Sequence, residues 1–187
     1  MKCSVFIATS ADGFIATPDG SVDWLHTAGN TQVIMGDQFD MGMKDFMSTI
    51  DCIIMGRKTM EVIAAMNLTP EQWPYGNIRI IVLSNTLKVP PTNMRNKVEM
   101  YAGDIVQLVA KLESSGFKHC YIDGGTIIQA FLNLKLINEI TITKAPIILG
   151  KGIPLFGNID TRVNLKKGSA ITFPNDFIQL KYEVSYS

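Results

Sequence analysis

Twice in this chain a short apolar run ends on glycine and passes at once into a helical pattern, and that repeated junction limits the fold more than any other feature. Cys52 to Met55 has the β-branched content of a central strand, Gly56 turns without a Cβ, and the residues around Thr59 and Glu61 open a helix. Cys120 to Asp123 repeats the pattern, with Gly124 and Gly125 as the turn and Thr126 to Leu132 as the helix. Strands alternating with helices imply a mostly parallel sheet covered on both faces, and ligands of such sheets bind beyond the carboxyl ends of the strands. Backbone N–H groups at the first turn of the Arg57 helix, beside the cations of Arg57 and Lys58, suit a phosphate. Two such junctions fit a ligand with two phosphate groups, such as a dinucleotide. The chain has neither a G-x-G-x-x-G fingerprint nor a P-loop lysine pattern.

The rest of the chain follows the same alternation. Lys2 to Ala8 reads as a strand that leaves through Asp12-Gly13 into a long loop carrying Trp24, where a lid could sit. Phe39, Met43, Phe46, Met47 and Ile50 recur at helical spacing and predict an amphipathic helix leading into the Cys52 strand. Ile78 to Leu83 and Val98 to Tyr101 read as strands. Asp104 is a candidate N-cap for a helix over Ile105 to Leu112, stopped by Gly116. Glu139 to Ala145 is a further strand, and the tail, residues 163–172 and 177–187, alternates as an antiparallel hairpin. At 187 residues the chain suits one domain, 1–187, able to bury roughly 70% of its unfolded surface.

Lys+Arg 17 balances Asp+Glu 17, so no basic stripe is expected to recruit nucleic acid or an anionic membrane. The N-terminal apolar run is too short for a signal peptide or a membrane span, which makes the cytoplasm the expected location. Cys3, Cys52 and Cys120 are isolated within strand-like runs and read as buried hydrophobes, with no metal site expected.

The phrase from Met55 through Gly56, Arg57, Lys58, Thr59 and Met60 to Glu61 resembles the phosphate-binding G-R-x-T-x-E phrase of the dihydrofolate reductase superfamily. Ser10 to Ala16 resembles the first-strand exit of its bacterial riboflavin-pathway branch, the C-terminal reductase domain of the bifunctional deaminase-reductase. Asp123 to Gly125, Leu136 to Ile140 and Ala145 to Gly152 match further phrases of that branch in the same order. The resemblance implies a mixed sheet with a C-terminal hairpin, an NADPH-dependent reduction like that of 5-amino-6-(5-phosphoribosylamino)uracil, and a homodimer. Dihydrofolate reduction, or a non-catalytic nucleotide-binding or dimerising protein on the same fold, are the alternatives. It further implies that Gly56, Arg57, Lys58 and Thr59 hold NADPH phosphates, that Ser84 lines the adenosine end, and that Gly124, Gly125 and Thr126 pass beneath the pyrophosphate and nicotinamide. Asp12 and Trp24 would meet a pyrimidine- or pterin-type substrate. Counting back from Gly56, Asp40 falls at the position of the active-site carboxylate of folate-reducing members, with Asp37 as competitor. Two departures stand out: the chain carries no deaminase zinc motif, and Asn138 stands where the branch often has Asp.

Overall fold

The computed structural model describes residues 1–186. Its frame is an eight-stranded sheet whose first strand lies inside it, flanked by strands that come late in the chain. The strands are β1 (Lys2–Thr9), β3 (Cys52–Gly56), β4 (Arg79–Leu83), β5 (Glu99–Tyr101), β6 (His119–Asp123), β7 (Glu139–Lys144), β9 (Val163–Thr172) and β10 (Ile178–Tyr186), in the order β5-β4-β3-β6-β1-β7-β10-β9. From β5 to β7 every pairing is parallel, and β10 then runs antiparallel to both β7 and β9. β2 (Phe14–Ala16) and β8 (Ile153–Pro154) form a separate two-stranded antiparallel pair. This is the mixed, mostly parallel sheet with a C-terminal hairpin that the sequence implies.

Both faces of the parallel part are covered, which explains why its strands read as apolar runs instead of alternating patterns. On one face α4 (Ile105–Ser114) and α5 (Gly125–Asn133) pack Leu108, Leu112, Ile128 and Phe131 onto Val5, Ile54 and Ile122. On the other, α3 (Arg57–Ala65) lays Met60 and Ile63 over Ile53, Met55 and Tyr121, joined by half-buried Phe46 of α2 (Met43–Ser48). Asp104 caps α4 as expected, its carboxylate accepting from the Gln107 N–H at 2.8 Å. Cys3, Cys120 and Cys52 lie side by side across β1, β6 and β3, free and buried.

The stretch expected as one long helix through Phe39 is interrupted. Gly42 takes φ +84°, which ends the turn before it, and the helix begins only at Met43. Phe39 is left 72% exposed, although Phe46 on the same expected stripe stacks on Phe6 with ring centroids 4.9 Å apart. The Leu136–Ile140 phrase has a structural use: the Asn138 side-chain oxygen accepts from the Cys3 N–H at 2.7 Å, binding β1 to the entry of β7. A carboxylate could accept the same bond, so the Asn-for-Asp departure leaves this joint intact.

Candidate active site at the carboxyl edge of the sheet

The two glycine junctions end neighbouring strands, because β3 and β6 pair in register from Cys52 with Cys120 to Met55 with Asp123. The loops that follow are in contact. Gly124 has φ +89°, and a Cβ placed there would lie 2.5 Å from Thr59 Oγ1 and 3.8 Å from the Gly56 nitrogen. Glycine is required at this point on both counts, since an L-residue is strained in that conformation and would strike α3. Gly125 has no such backbone demand; a Cβ there would press instead on Ile15 Cδ1, at 2.7 Å. Neither α3 nor α5 carries a side-chain N-cap, so two helix starts, each with its positive dipole end, open on one edge.

The basic pair is unequal. Arg57 Nη1 reaches Glu61 Oε1 at 2.6 Å one helical turn on, so its charge is already shared, while Lys58 is exposed. Thr59 faces Gly124, and Thr126 lies exposed in the first turn of α5. Ser84, at the exit of β4, accepts from the Leu87 N–H at 2.9 Å and so also shapes the turn that follows its strand.

Between the junctions stands a residue whose role motif reasoning passed over. Asp123 ends β6 on the α2 and α3 side of the sheet, half-buried near Tyr121 and Tyr75. Burial pushes its carboxyl up to about 6, against the lowering pull of the Gly124 N–H and of the Tyr121 hydroxyl. The Gly124 bond measures 2.8 Å, and the Tyr121 hydroxyl donates to the Phe6 carbonyl at 2.9 Å. With that proton committed to Phe6, a protonated Asp123 finds an acceptor in the Tyr121 oxygen. A partly exposed carboxyl group balanced near neutrality beside two glycine turns can give or take a proton, which marks it as a functional candidate. The signal was present in the sequence, as an acidic residue closing a buried strand immediately before two glycines.

Asp40 reaches the same edge by way of α2, which runs down the face from its carboxyl end. Gln179 Nε2 donates to the Met41 carbonyl and to Thr143 Oγ1, both at 2.9 Å, and Thr143 pairs with Ala8 near the ends of β7 and β1. Phe46 lies lower, 5.2 Å from the Tyr121 ring, and Thr49 lower still, against His119. The start of α2 and Asp123 therefore share one face and one edge. Asp40 uses its two oxygens locally, however, accepting from the N–H groups of Gly42 at 3.0 Å and Lys44 at 2.9 Å. Its observed interactions are those of a helix-starting cap. Asp37 lies in an exposed single turn, Gly36–Gln38, ahead of it.

Asp12 and Trp24, which the resemblance assigns to the substrate, also have structural partners. Asp12 Oδ1 accepts from Ser10 Oγ at 2.6 Å and Oδ2 from the Gly150 N–H at 2.8 Å, tying the exit of β1 to the turn after β7. The Ser10 hydroxyl, followed by the Gly150 and Leu149 amides, holds its carboxyl below the ordinary range. Trp24 is 7% exposed and packs with Ala145, Phe173 and Phe177, so it anchors the loop after β1 onto the hairpin.

Against this geometry stand the comparisons with known proteins. Residues 2–179 match the model of the RibD C-terminal domain. The chain belongs to that family. Two relatives are the uncharacterised Bacillus subtilis (strain 168) proteins YwjB, 31% identical with 97% of each chain covered, and YyaP, 30% identical over 94% of this chain and 91% of that one. Among solved structures, a provisionally named riboflavin biosynthesis protein from Shewanella sp. PV-4 is 37% identical over 99% of both chains, with a TM-score of 0.84. A pyrimidine reductase-like protein from Corynebacterium diphtheriae shares the fold, at TM-score 0.68 and 21% identity over 100% of this chain and 92% of that one. RibD of Acinetobacter baumannii also shares it, at TM-score 0.65 and 18% identity over 98% of this chain and 58% of that one. The RibD C-terminal fold, within the dihydrofolate reductase-like class, is thus established, and with it a reductase-like architecture. In this member of the family, three buried side-chain atoms among the described residues have no partner: Thr9 Oγ1, Trp24 Nε1 and Asn175 Oδ1. All lie toward the carboxyl edge, on the last residue of β1, on α1 (Trp24–Thr27) and in the turn that leads to β10.

Proposed function

We propose that the chain is an NADPH-dependent reductase of a pyrimidine- or pterin-type ring. The observation that carries this reading is Asp123, a half-buried carboxyl held at about 6 where two uncapped helix starts and two glycine turns converge. The site's chemistry suits the cofactor, since the touching Gly56 and Gly124 loops leave a close backbone approach free of side chains. Gly56, Arg57, Lys58 and Thr59 would hold phosphate groups, Gly124, Gly125 and Thr126 the pyrophosphate and nicotinamide side, and Ser84 the adenosine end. When bound, NADPH supplies hydride, and the protein's part is to orient reactants and manage protons. Asp123 would deliver a proton to the ring atom that gains electron density, with the Gly124 N–H and Tyr121 fixing the carboxyl group.

The family neighbours support this class of reaction, one solved relative being pyrimidine reductase-like and another, from Thermotoga maritima, a deaminase and 5-amino-6-(5-phosphoribosylamino)uracil reductase. Within this reading, the commitment of both Asp40 oxygens to backbone N–H groups favours a pyrimidine-type ring over dihydrofolate, whose reduction would ask for a free carboxylate there. A homodimer is part of the proposal. It is supported by an apolar hollow of about 220 Å³ lined by Leu132, Ile140, Phe156 and Leu165, of which Phe156 and Leu165 are exposed. No helix among the described residues is long and apolar enough to cross a membrane, and a cytoplasmic setting is proposed on metabolic grounds.

Titration of NADPH and NADH against the protein, followed by cofactor fluorescence, tests the reading directly. NADPH should bind more tightly, and Arg57→Ala should weaken it by roughly tenfold, the scale of one charge-assisted contact at about 1.5 kcal/mol. Equal affinity for both cofactors in the parent and in Arg57→Ala would remove the assignment.

A further inference from the structure

Three thiols stand in a row on the α4 side of the sheet, at the opposite end of the strands from the site proposed above. β6 runs between β1 and β3, and its Cys120 is the register partner of Cys3 on one side and of Cys52 on the other. In-register neighbours point to the same face of a sheet, and all three cysteines pack in one cluster with Leu108 and Leu112 of α4. They are free and at most 1% exposed. Register partners on adjacent strands lie about 4.8 Å apart, inside the range of about 4.4 to 6.8 Å that a disulfide spans between Cα atoms.

The two ends of the row differ. Beyond Cys52 it continues to Arg79, the partner of Cys52 on β4. Arg79 lines a cavity of about 70 Å³ together with Ile81, Leu108 and Leu112, and with Glu99 and Lys111 among its polar groups. Leu108 and Leu112 also belong to the cluster that holds the thiols, so the cavity and the Cys52 end of the row share walls. One water needs about 10–15 Å³ of such space, so this cavity admits a molecule the size of hydrogen peroxide and excludes a peptide disulfide. The hydrogen bond shared with Cys120, and after it the Arg79 charge, hold the Cys52 thiol below its ordinary range in spite of burial and the Asp51 charge. Burial keeps Cys120 well above that range and pushes Cys3 up to about 12. Cys52 is therefore the nucleophile of the row, and Cys120 the neighbour that keeps its proton.

The geometry points to a peroxide-responsive pair, in which hydrogen peroxide entering by the cavity oxidises Cys52 and Cys120 closes a disulfide onto it, while Cys3 stays reduced. This holds independently of the reductase reading. The Cys52 sulfur attacks one peroxide oxygen, the O–O bond breaks and water leaves, which gives a sulfenic acid. The Cys120 sulfur then attacks the Cys52 sulfur, the S–S bond forms as the S–O bond breaks, and the Cys120 proton departs in a second water. The sulfurs lose two electrons in all, and the peroxide gains them.

Trypsin separates the three cysteines, because Lys2, Lys44, Arg57, Lys118 and Lys135 place them on peptides 3–44, 45–57 and 119–135. The test exposes the reduced full chain to hydrogen peroxide or to glutathione disulfide, alkylates the remaining thiols and reads the digest by mass spectrometry. Peroxide should link 45–57 to 119–135 in the folded parent and in Cys3→Ala, and glutathione disulfide should do so at least about tenfold more slowly. Cys120→Ala should hold a sulfenic acid on Cys52 that dimedone traps, whereas Cys52→Ala should leave Cys120 unlabelled. The proposal is overturned by a link through Cys3, by a link that forms only once denaturant unfolds the parent, or by equal rates with the two oxidants. Dimedone on Cys120 in Cys52→Ala overturns it as well. The linked peptides of the parent decide the pairing even where an alanine variant does not fold.

Discussion

The two ends of the same central strands treat their polar groups in opposite ways. At the amino edge, Asp51 Oδ2 accepts from the N–H groups of Lys118 at 2.7 Å and His119 at 2.9 Å, and its carboxyl is held below the ordinary range by those bonds, Lys118 first. The His119 ring is enclosed between Ser4 at 2.8 Å and the Thr49 carbonyl at 3.1 Å. Because a carbonyl can only accept, Nδ1 carries the proton and Nε2 accepts from the Ser4 hydroxyl. Every one of these groups has a partner. At the carboxyl edge, Asp123 is pushed up to about 6, two helices start without side-chain caps, and the buried atoms without partners gather nearby. Satisfied polar groups fasten a structure, and unsatisfied or perturbed ones are retained where a ligand or a proton will answer them.

Asp123→Asn should have the largest effect, at the carboxyl edge. Turnover should fall by about 10²- to 10⁴-fold, and the inflection near pH 6 should disappear from the pH–rate profile, with NADPH affinity retained. The same variant should alter stability with a definite sign. The folded carboxyl titrates above its ordinary 3.8, so the contribution of the protonated form is complete below that value and is lost as pH rises through about 6. At pH 8 Asp123→Asn should therefore be more stable than the parent, by on the order of 2 kcal/mol in denaturant melts. A parental pH–rate profile in the variant would reduce Asp123 to a packing residue and erase the contrast between the edges.

A second test separates the two adjacent glycines. Gly124→Ala forces a side chain into a positive φ and against Thr59, and should lower stability by about 1 to 3 kcal/mol together with NADPH affinity. Gly125→Ala meets the flexible end of Ile15 and should be milder in thermal melts. Equal destabilisation by both would mean that the backbone conformation is not what sets Gly124 apart.

The smallest expected effect belongs to the amino edge. Burial, ahead of the Lys2 charge, lowers the His119 pKa below 6.5, so its contribution is complete above pH 6.5 and declines as pH falls toward the folded value, where the unfolded chain binds a proton and the folded one does not. The stability of the parent relative to His119→Gln in denaturant melts should therefore fall from pH 7.5 to 5.5, a comparison in which the opposite contribution of Asp123 cancels, and His119→Gln should leave turnover at pH 7.5 unchanged. A change in turnover would mean that the amino edge reaches the chemistry.

Elements whose forces are local were legible in the chain. The strand, glycine and helix junctions at Gly56 and Gly124 depend on apolar runs and on a turn without a Cβ. The Asp104 cap depends on one carboxylate three residues from an N–H, and the hairpin of β9 and β10 on alternation. The helix expected from Phe39 failed because periodicity counts apolar residues without knowing where Gly42 will adopt a positive φ. The partners of Asp12 and Trp24 escaped the sequence for a different reason: a motif can single out a side chain, but Gly150 for Asp12 and the hairpin turn for Trp24 are brought to it by packing across distant segments. The sequence alone determined the family, the alternation of strand and helix and the residues available at each junction, because these follow from backbone geometry and the burial of apolar runs. Only the tertiary structure placed β3 beside β6, brought Thr59 against Gly124 and buried Asp123 beside two tyrosines, because neighbour relations in a sheet and the desolvation of a carboxyl group exist only once the chain has closed upon itself.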